Sequence, residues 1–320
     1  MTLTAIGFAA ATLVAFGWIP TAGATLVLFL VGLSFLGLPH GGIDHRLALA
    51  VLDRQQSGSD TRLPRWMEFA SFFVVYLAVA AAVVAGWYLS PLLTVCGFFL
   101  LASWHFGLEE DETASSSTWI HQPGVIARGG MVIWVTMLFR SSEVASLLDI
   151  VLPTNLTSGS WIVDVICWLS PVWMMLLAID IVRQWQHQTG QQLFVTLVRL
   201  TSFALMFAVC PVLLSFAIYF CYWHSVRGLV HLRAQFDGSA KQLAIELVPM
   251  SALAVLLFVG GFVAYLNQLT PSEAAIRASF IGLSAVAIPH LLLHVISDVL
   301  EPAGVKINAS LSWNRKATSC

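Results

Sequence analysis

The chain has 320 residues, of which 58% are hydrophobic and only 10% are charged. Soluble domains carry about a quarter charged residues, so this composition all but excludes a water-soluble fold and intrinsic disorder. A formal net charge of −2 offers no basic surface for a nucleic acid, and the five cysteines form no CxxC pair that would bind a metal. The composition therefore predicts a polytopic membrane protein.

Apolar runs that could cross a bilayer follow one another along almost the whole chain. A spanning helix needs about 20 mostly apolar residues, because lipid offers no partner for an unpaired backbone amide. In chain order the predicted spans are 4–19, 22–39, 67–88, 91–107, 124–140, 160–182, 193–210, 211–226, 247–267 and 274–299. Several runs are short or merge across one proline, so eight or nine spans stay open. We predict an all-α transmembrane helical bundle of about 8–10 spans, forming a single domain over residues 1–320.

Positive charges indicate how this bundle is oriented. With ten spans, the Lys and Arg residues that follow spans two, six, eight and ten lie on the same side as both termini. The opposite side keeps little more than Arg140 and Arg277. Because positively charged loops stay on the cytoplasmic side, we predict a multi-pass protein of the cell membrane with cytoplasmic termini.

Histidines are the polar residues that most need an explanation within the spans. Ionisable residues inside a membrane are costly, so each one is a functional candidate. His40, His105, His224 and His290 lie on four even-numbered spans, about 20–27 Å along each helix, and so share one depth near the cytoplasmic side. A single such histidine can equally bond a backbone carbonyl. Four at one depth predict a metal site in the bundle core.

A carboxylate and a further histidine lie close to these positions in the sequence. Asp44 follows His40 by one helical turn, where it could fix the tautomer of that imidazole and strengthen it as a ligand. The alternative is a helix-end turn built by Pro39 and the glycines after it. His294 follows His290 at a spacing of i, i+4, which suits a metal pair or a ligand with a supporting partner.

Aromatic side chains surround the histidine depth, and five of them flank His105 and His224. These five are Trp104, Phe106, Tyr219, Tyr222 and Trp223. A cavity lined by aromatic rings suits a flat, conjugated or long-chain lipid. An aromatic stripe near an interface is more commonly a membrane belt, so the substrate wall is one of two interpretations.

Four segments together resemble the Brp/Blh family of membrane-bound β-carotene 15,15′-dioxygenases. They are GLPHGGIDH over 37–45, WHFG over 104–107, YFCYWHSVR over 219–227 and IPH over 288–290. They occur in the family's order, and the similarity covers nearly the whole chain. The resemblance implies a non-haem ferrous iron, Fe(2+), held by histidines, and the conversion of β-carotene and O₂ into two molecules of all-trans-retinal. It further implies a rhodopsin-type protein as a candidate acceptor of the retinal.

The resemblance also assigns the metal ligands, with one departure. Carried over residue by residue, the iron-ligand positions of the family match His40, His105 and His224. The family has another histidine four residues after the one matching His224, where this chain has Gly228. The fourth ligand is then missing, supplied by water or replaced from elsewhere. His290 is the preferred substitute because its helix reaches the same depth, and His231 is the alternative, although it lies about 10 Å further along its helix.

An all-histidine shell shapes the expected mechanism. Iron(II) favours imidazole ligands and needs an open coordination position for O₂. No general acid or base is then required, so we predict no catalytic residue beyond the metal ligands. An apolar tunnel would select the central bond by setting how far the polyene slides past the iron.

Other classes of function stay open at this point. Gly228 allows a divergent carotenoid or lipid oxygenase that cuts at another bond. A di-iron desaturase would need more clustered histidines than this chain has, and a b-type cytochrome with haem between His105 and His224 would leave the other histidines unexplained. A transporter that uses histidines as proton relays would be expected to carry more charge at the membrane midplane.

Overall fold

The computed structural model describes residues 2–55, 64–110, 122–152 and 158–300. Within these four ranges the chain is almost entirely helical and contains no β-strand, which confirms the predicted all-α class. The C-terminal segment 301–320, with its predicted cytoplasmic location, lies outside the described residues. The division into one domain stays a prediction.

The described residues up to 152 form nine α-helices. They are α1 (Thr2–Ala15), α2 (Ala22–Gly32), α3 (Leu38–His40), α4 (Asp44–Gln55), α5 (Arg65–Leu89), α6 (Pro91–Glu110), α7 (Gln122–Gly129), α8 (Met131–Phe139) and α9 (Ser141–Val151). A π-helical segment, Leu33–Gly37, joins α2 to α3, so the chain turns only at the glycines after His40.

Residues 158–300 form seven further α-helices. They are α10 (Gly159–Trp168), α11 (Ser170–His187), α12 (Gly190–Val209), α13 (Val212–Phe216), α14 (Ser225–Gln235), α15 (Ala240–Tyr265) and α16 (Pro271–Leu300). A second π-helical segment, Ala217–His224, joins α13 to α14. Capping boxes at Thr189 and Ser239 bond the exposed amides where α12 and α15 begin.

Six helices of the described chain are long and apolar enough to cross a membrane, or up to eight if each of two bent pairs counts as one span. The upper count of eight spans agrees with the lower end of the predicted range of 8–10. Ten spans are more than the described chain supports. Predicted span 4–19 forms only the short helix α1, of 14 residues. The pair α8 and α9 bends by 113°, and the pair α10 and α11 by 49°. Predicted span 124–140 ended at the first bend, whereas predicted span 160–182 runs across the second bend without a sign of it.

Two large apolar clusters form most of the interior of the described chain. The first includes Phe29, Phe106 and Phe207, and the second includes Trp87 and Leu148. Helices α6 and α7 pack backbone to backbone beside the first cluster. A Cβ added at Gly107 would collide with the main chain of α7, so glycine is required there for this close approach.

Candidate metal centre

Four histidine rings meet at one point of the bundle. The ring centroid of His40 lies 6.4 Å from that of His105, 5.0 Å from that of His224 and 5.2 Å from that of His290. The His105 ring lies 5.1 Å from the His224 ring and 5.9 Å from the His290 ring. Ring nitrogens of His40, His105 and His290 lie within 4.8 Å of one another, close enough to share one metal ion. We call these four residues the histidine cluster.

Two π-helical segments bring part of the histidine cluster together. Leu33–Gly37 ends three residues before His40, and Ala217–His224 ends on a cluster residue. The segments pack closely, since a Cβ added at Gly37 would lie 3.0 Å from the Phe220 ring. Such π-helical turns change the direction of the side chains that follow them and are frequent at functional sites.

Asp44 orients one ring of the cluster from behind. This carboxylate is buried, with 3% of its surface exposed, and its Oδ1 lies 2.8 Å from Nδ1 of His290. Its Oδ2 lies 3.2 Å from the hydroxyl of Tyr76, which is also 3.1 Å from the carbonyl oxygen of Val286. The sequence suggested that Asp44 supports His40, one turn away on its own helix. The structure instead bonds it to the ring on the last helix, because α16 packs against α4 at this depth.

His294 lies beside the cluster rather than inside it. Its ring centroid is 4.5 Å from that of His290, but the side chain is exposed. Ligand atoms of His294, His290 and Asp44 lie within 4.8 Å of one another. Nδ1 of His290 already faces Asp44 and is therefore not available to a second metal ion. We interpret Asp44 and His294 as residues that support His290 as a ligand, and not as a second metal site.

Gly228 and the two residues proposed to replace the histidine missing there, His290 and His231, lie in different surroundings. His231 is exposed, and its Nε2 lies 2.8 Å from the side-chain nitrogen of Gln235, away from the cluster. Gly228 lies against the cluster itself, because a Cβ added there would collide with Nδ1 of His40. The structure thus brings the preferred substitute, His290, into the cluster and leaves the alternative, His231, outside it.

One buried ionic group next to the site was missed in the sequence. Arg46, only 1% exposed, forms an ion pair with Glu246, in which its Nε lies 3.1 Å from Oε2. The same carboxylate lies 3.5 Å from Nε2 of the buried His45. The sequence offered one indication of this group, because Glu246 is a single carboxylate among the apolar residues near the start of α15. This group anchors α15 to the helix that carries Asp44.

An apolar cavity opens directly from the histidine cluster. Its empty space measures about 1440 Å³, part of which is open to the surroundings, and all four cluster rings line it. Apart from these rings, its lining is almost wholly hydrophobic. The aromatic residues that line it are Trp87, Phe98, Phe99, Phe106, Phe216, Phe220 and Phe280. Ligand sites are commonly apolar cavities with a few convergent polar groups, which is the arrangement found here.

Only one of the five aromatic residues proposed as a substrate wall lines this cavity, and it is Phe106. Tyr219 is buried in the first apolar cluster, with its ring edge-on to that of Phe106. Trp223 packs edge-on against Phe203, and Tyr222 reaches toward the carbonyl of Leu28. These two and Trp104 are absent from the cavity lining in the described part of the chain. Adjacent residues of a helix point in different directions, so proximity to a histidine in sequence does not place a side chain in its cavity.

Comparison with known proteins gives matches over most of the chain. Residues 31–297 match the family described as Beta-carotene 15,15′-dioxygenase. The chain is 29% identical over 278 residues to the Beta-carotene 15,15′-dioxygenase of uncultured marine bacterium 66A03, covering 85% of this chain and 93% of that protein. It is 26% identical over 295 residues to the Probable beta-carotene 15,15′-dioxygenase Blh of Halobacterium salinarum, covering 83% of this chain and 82% of that protein. No solved structure matches.

Proposed function

The chain belongs to the β-carotene 15,15′-dioxygenase family, as its sequence segments indicate, and from this premise we propose that it cleaves β-carotene at the central 15,15′ double bond. The co-substrate is O₂, and the products are two molecules of all-trans-retinal. One carbon–carbon double bond is broken and each new aldehyde receives one oxygen atom, so the reaction needs no external reductant. The observation that carries the proposal is the meeting of four imidazoles at one end of an apolar cavity.

The histidine cluster suits a ferrous ion. Neutral imidazole is a favoured ligand of Fe²⁺, and three of the rings already bring nitrogens within metal-sharing distance. We propose His40, His105, His224 and His290 as the residues that hold the iron. When bound, the ferrous ion supplies the redox chemistry by which O₂ reacts with the polyene.

The protein's own residues prepare this site in two ways. Asp44 accepts a hydrogen bond from Nδ1 of His290, which leaves Nε2 of that ring with the lone pair that a metal ligand needs. Tyr76 holds the carboxylate from the other side. The apolar cavity excludes water and positions the conjugated chain beside the cluster. No side chain has to move a proton, in keeping with the absence of a general acid or base from the expected mechanism.

The geometry disfavours a haem at this site. A haem between His105 and His224 would need a flat, open space between their rings. The centroids of these two rings are 5.1 Å apart, and the His40 ring lies 5.0 Å from the His224 ring, where the macrocycle would have to extend. The cluster therefore fits a single ion better than a large planar cofactor.

The surroundings proposed for the enzyme follow from the same features. Several apolar helices make it a membrane protein, and we propose the cell membrane with cytoplasmic termini. Both β-carotene and retinal dissolve in lipid, so substrate and product can enter and leave through the membrane. A rhodopsin-type protein is the retinal acceptor that we propose.

Pigment analysis tests the activity. The chain is expressed in cells that accumulate β-carotene, beside the variants His105→Ala and His231→Ala. We expect bleaching and retinal in the wild type and in His231→Ala, whose ring lies outside the cluster, and no retinal in His105→Ala. A well-expressed wild type that leaves β-carotene unchanged would overturn the proposed function. Cleavage products of other lengths would show that a different double bond is cleaved, and the proposal of an oxygenase would still hold.

A further inference from the structure

One part of the cavity lining comes from α9. Four apolar side chains of this helix face the cavity: Val144, Leu147, Leu148 and Val151. Helix α9 follows α8 after a bend of 113°, so it turns away from the direction of the preceding helix. We call α9, which makes this part of the lining, the floor helix.

One end of the floor helix is fixed to α16, which carries His290, and the other to α13, which leads into the segment that ends at His224. Arg277 of α16 donates from Nε to the carbonyl of Ile150 at 2.6 Å and from Nη2 to the carbonyl of Leu152 at 3.1 Å. At the other end, Glu143 accepts a hydrogen bond of 2.8 Å from the backbone amide of Val212, where α13 begins. These bonds satisfy backbone groups at helix ends, which have no partner within their own helix.

These two attachments give the depth of the cavity. At 1.5 Å per residue, Arg277 lies about 20 Å from His290 along α16. Val212 lies twelve residues before His224, and because the π-helical segment Ala217–His224 rises less per residue, this distance is below about 18 Å. The two ends of the floor helix thus lie at comparable distances from the histidine cluster, on two different helices. The floor helix crosses the cavity at a fixed depth.

Further contacts make the floor helix rigid. Arg140, at the bend, forms an ion pair of 2.7 Å with Glu143. The amide of Gly159 donates to Asp149 at 2.6 Å, and a Cβ added at Gly159 would collide with the carbonyl of Ala145. Helix α10 therefore lies directly against the outer side of the floor helix and supports it from below.

We propose that the floor helix is the end stop that makes cleavage central. The inference rests on the proposed function. One ring-bearing half of the carotenoid enters the cavity until its terminal ring meets Val144, Leu147 and Leu148. In this proposal the space between the stop and the histidine cluster accommodates one half of the carotenoid, so the central double bond comes to rest beside the cluster. Leu148 is the side chain that we assign as the main determinant of the cleavage position.

Product lengths test the end stop. Leu148→Ala removes volume from the floor and lets the ring travel deeper, so we expect some of the retinal to be replaced by pairs of aldehydes, one shorter and one longer. Leu152→Ala is the matched control. It removes the same atoms from a leucine that is 2% exposed, lies in the same apolar cluster and is absent from the cavity lining. We expect this control to give retinal alone.

The outcomes separate the two proposals. Wild type without retinal would contradict the proposed function, whatever the variants do. Wild type with retinal, together with retinal alone from Leu148→Ala, would overturn the end stop. Off-centre products from Leu152→Ala as well would also overturn it, since a loosened core and not the floor would then set the length. If Leu148→Ala fails to accumulate, Leu147→Ala opens the same wall and takes its place under the same criteria.

Discussion

The two ends of the cavity are built on opposite principles. At the histidine cluster, polar side chains converge from four helices and a buried carboxylate supports them, as Asp44 does for His290. At the floor helix, the side chains that face the cavity are apolar, and polar bonds act from behind on the main chain, as Arg277 does on Ile150. Under the two proposals above, the histidine cluster carries the reaction and the floor helix limits how far the substrate enters the cavity. Changes at the first end should therefore lower the rate on every substrate, and changes at the second should alter selectivity.

Loss of a cluster ring should have the largest effect. Removal of even a supporting partner of a metal ligand costs about 10- to 100-fold in metal affinity or activity, so His290→Ala should lose at least about 100-fold in retinal formation. Iron analysis of the purified protein should show a parallel loss of bound metal. The control is His187→Ala, an exposed histidine on α11. Full iron content and activity in His290→Ala would restrict the ligand set to the other three histidines.

Gly228→Ala tests whether this residue makes room for the His40 ring. The added Cβ would collide with Nδ1 of His40, so the ring must move. A displacement of about 1 Å at a reacting centre can lower the rate about 100-fold, and we expect a loss of this size with normal expression. Gly260→Ala is the matched control, because a Cβ there meets nothing within 4 Å. Unchanged activity in Gly228→Ala would show that the orientation of the His40 ring is not critical.

Asp44→Asn should have a smaller effect, because it keeps the shape of the side chain and removes its charge. The amide accepts the hydrogen bond from His290 more weakly, so iron binding should weaken about 10-fold or somewhat more. Titration of the metal-free protein with ferrous iron, followed by retinal formation at each iron concentration, measures this shift. Rescue by excess iron is expected if Asp44 only positions the ligand. A loss that excess iron does not repair would contradict that role.

The sequence predicted the histidine end of the cavity and missed the floor helix, for a physical reason. A histidine within an apolar span is costly wherever it lies, so His40 and His290 could be singled out without a structure. The bonding of Asp44 to His290 depends on how α16 packs against α4, which no spacing along the chain records. The bend at Arg140 coincides with the end of predicted span 124–140, but the polar residues that follow it do not reveal that α9 packs against the cavity. The same limit explains Trp104 and Trp223, which lie next to cluster histidines in sequence and point elsewhere.

Ring-hydroxylated carotenoids should show the smallest effect and the sharpest contrast between the two ends. A hydroxyl pressed against Val144, Leu147 and Leu148 would find no hydrogen-bond partner among these apolar side chains. Leaving a buried hydroxyl without a hydrogen bond costs about 1–3 kcal/mol. A carotenoid hydroxylated on both rings should therefore have a kcat/KM about 10-fold below that of β-carotene, within the limit of about 100-fold for rejection by an apolar pocket. A carotenoid hydroxylated on a single ring can enter with its unmodified ring first. Its kcat/KM should fall only about 2-fold, because one of its two ends, and not both, gives productive binding. Asp44→Asn, which acts at the histidine end, should lower kcat/KM for all three substrates by the same factor. Equal cleavage of β-carotene and the doubly hydroxylated carotenoid would show that no ring reaches the floor helix.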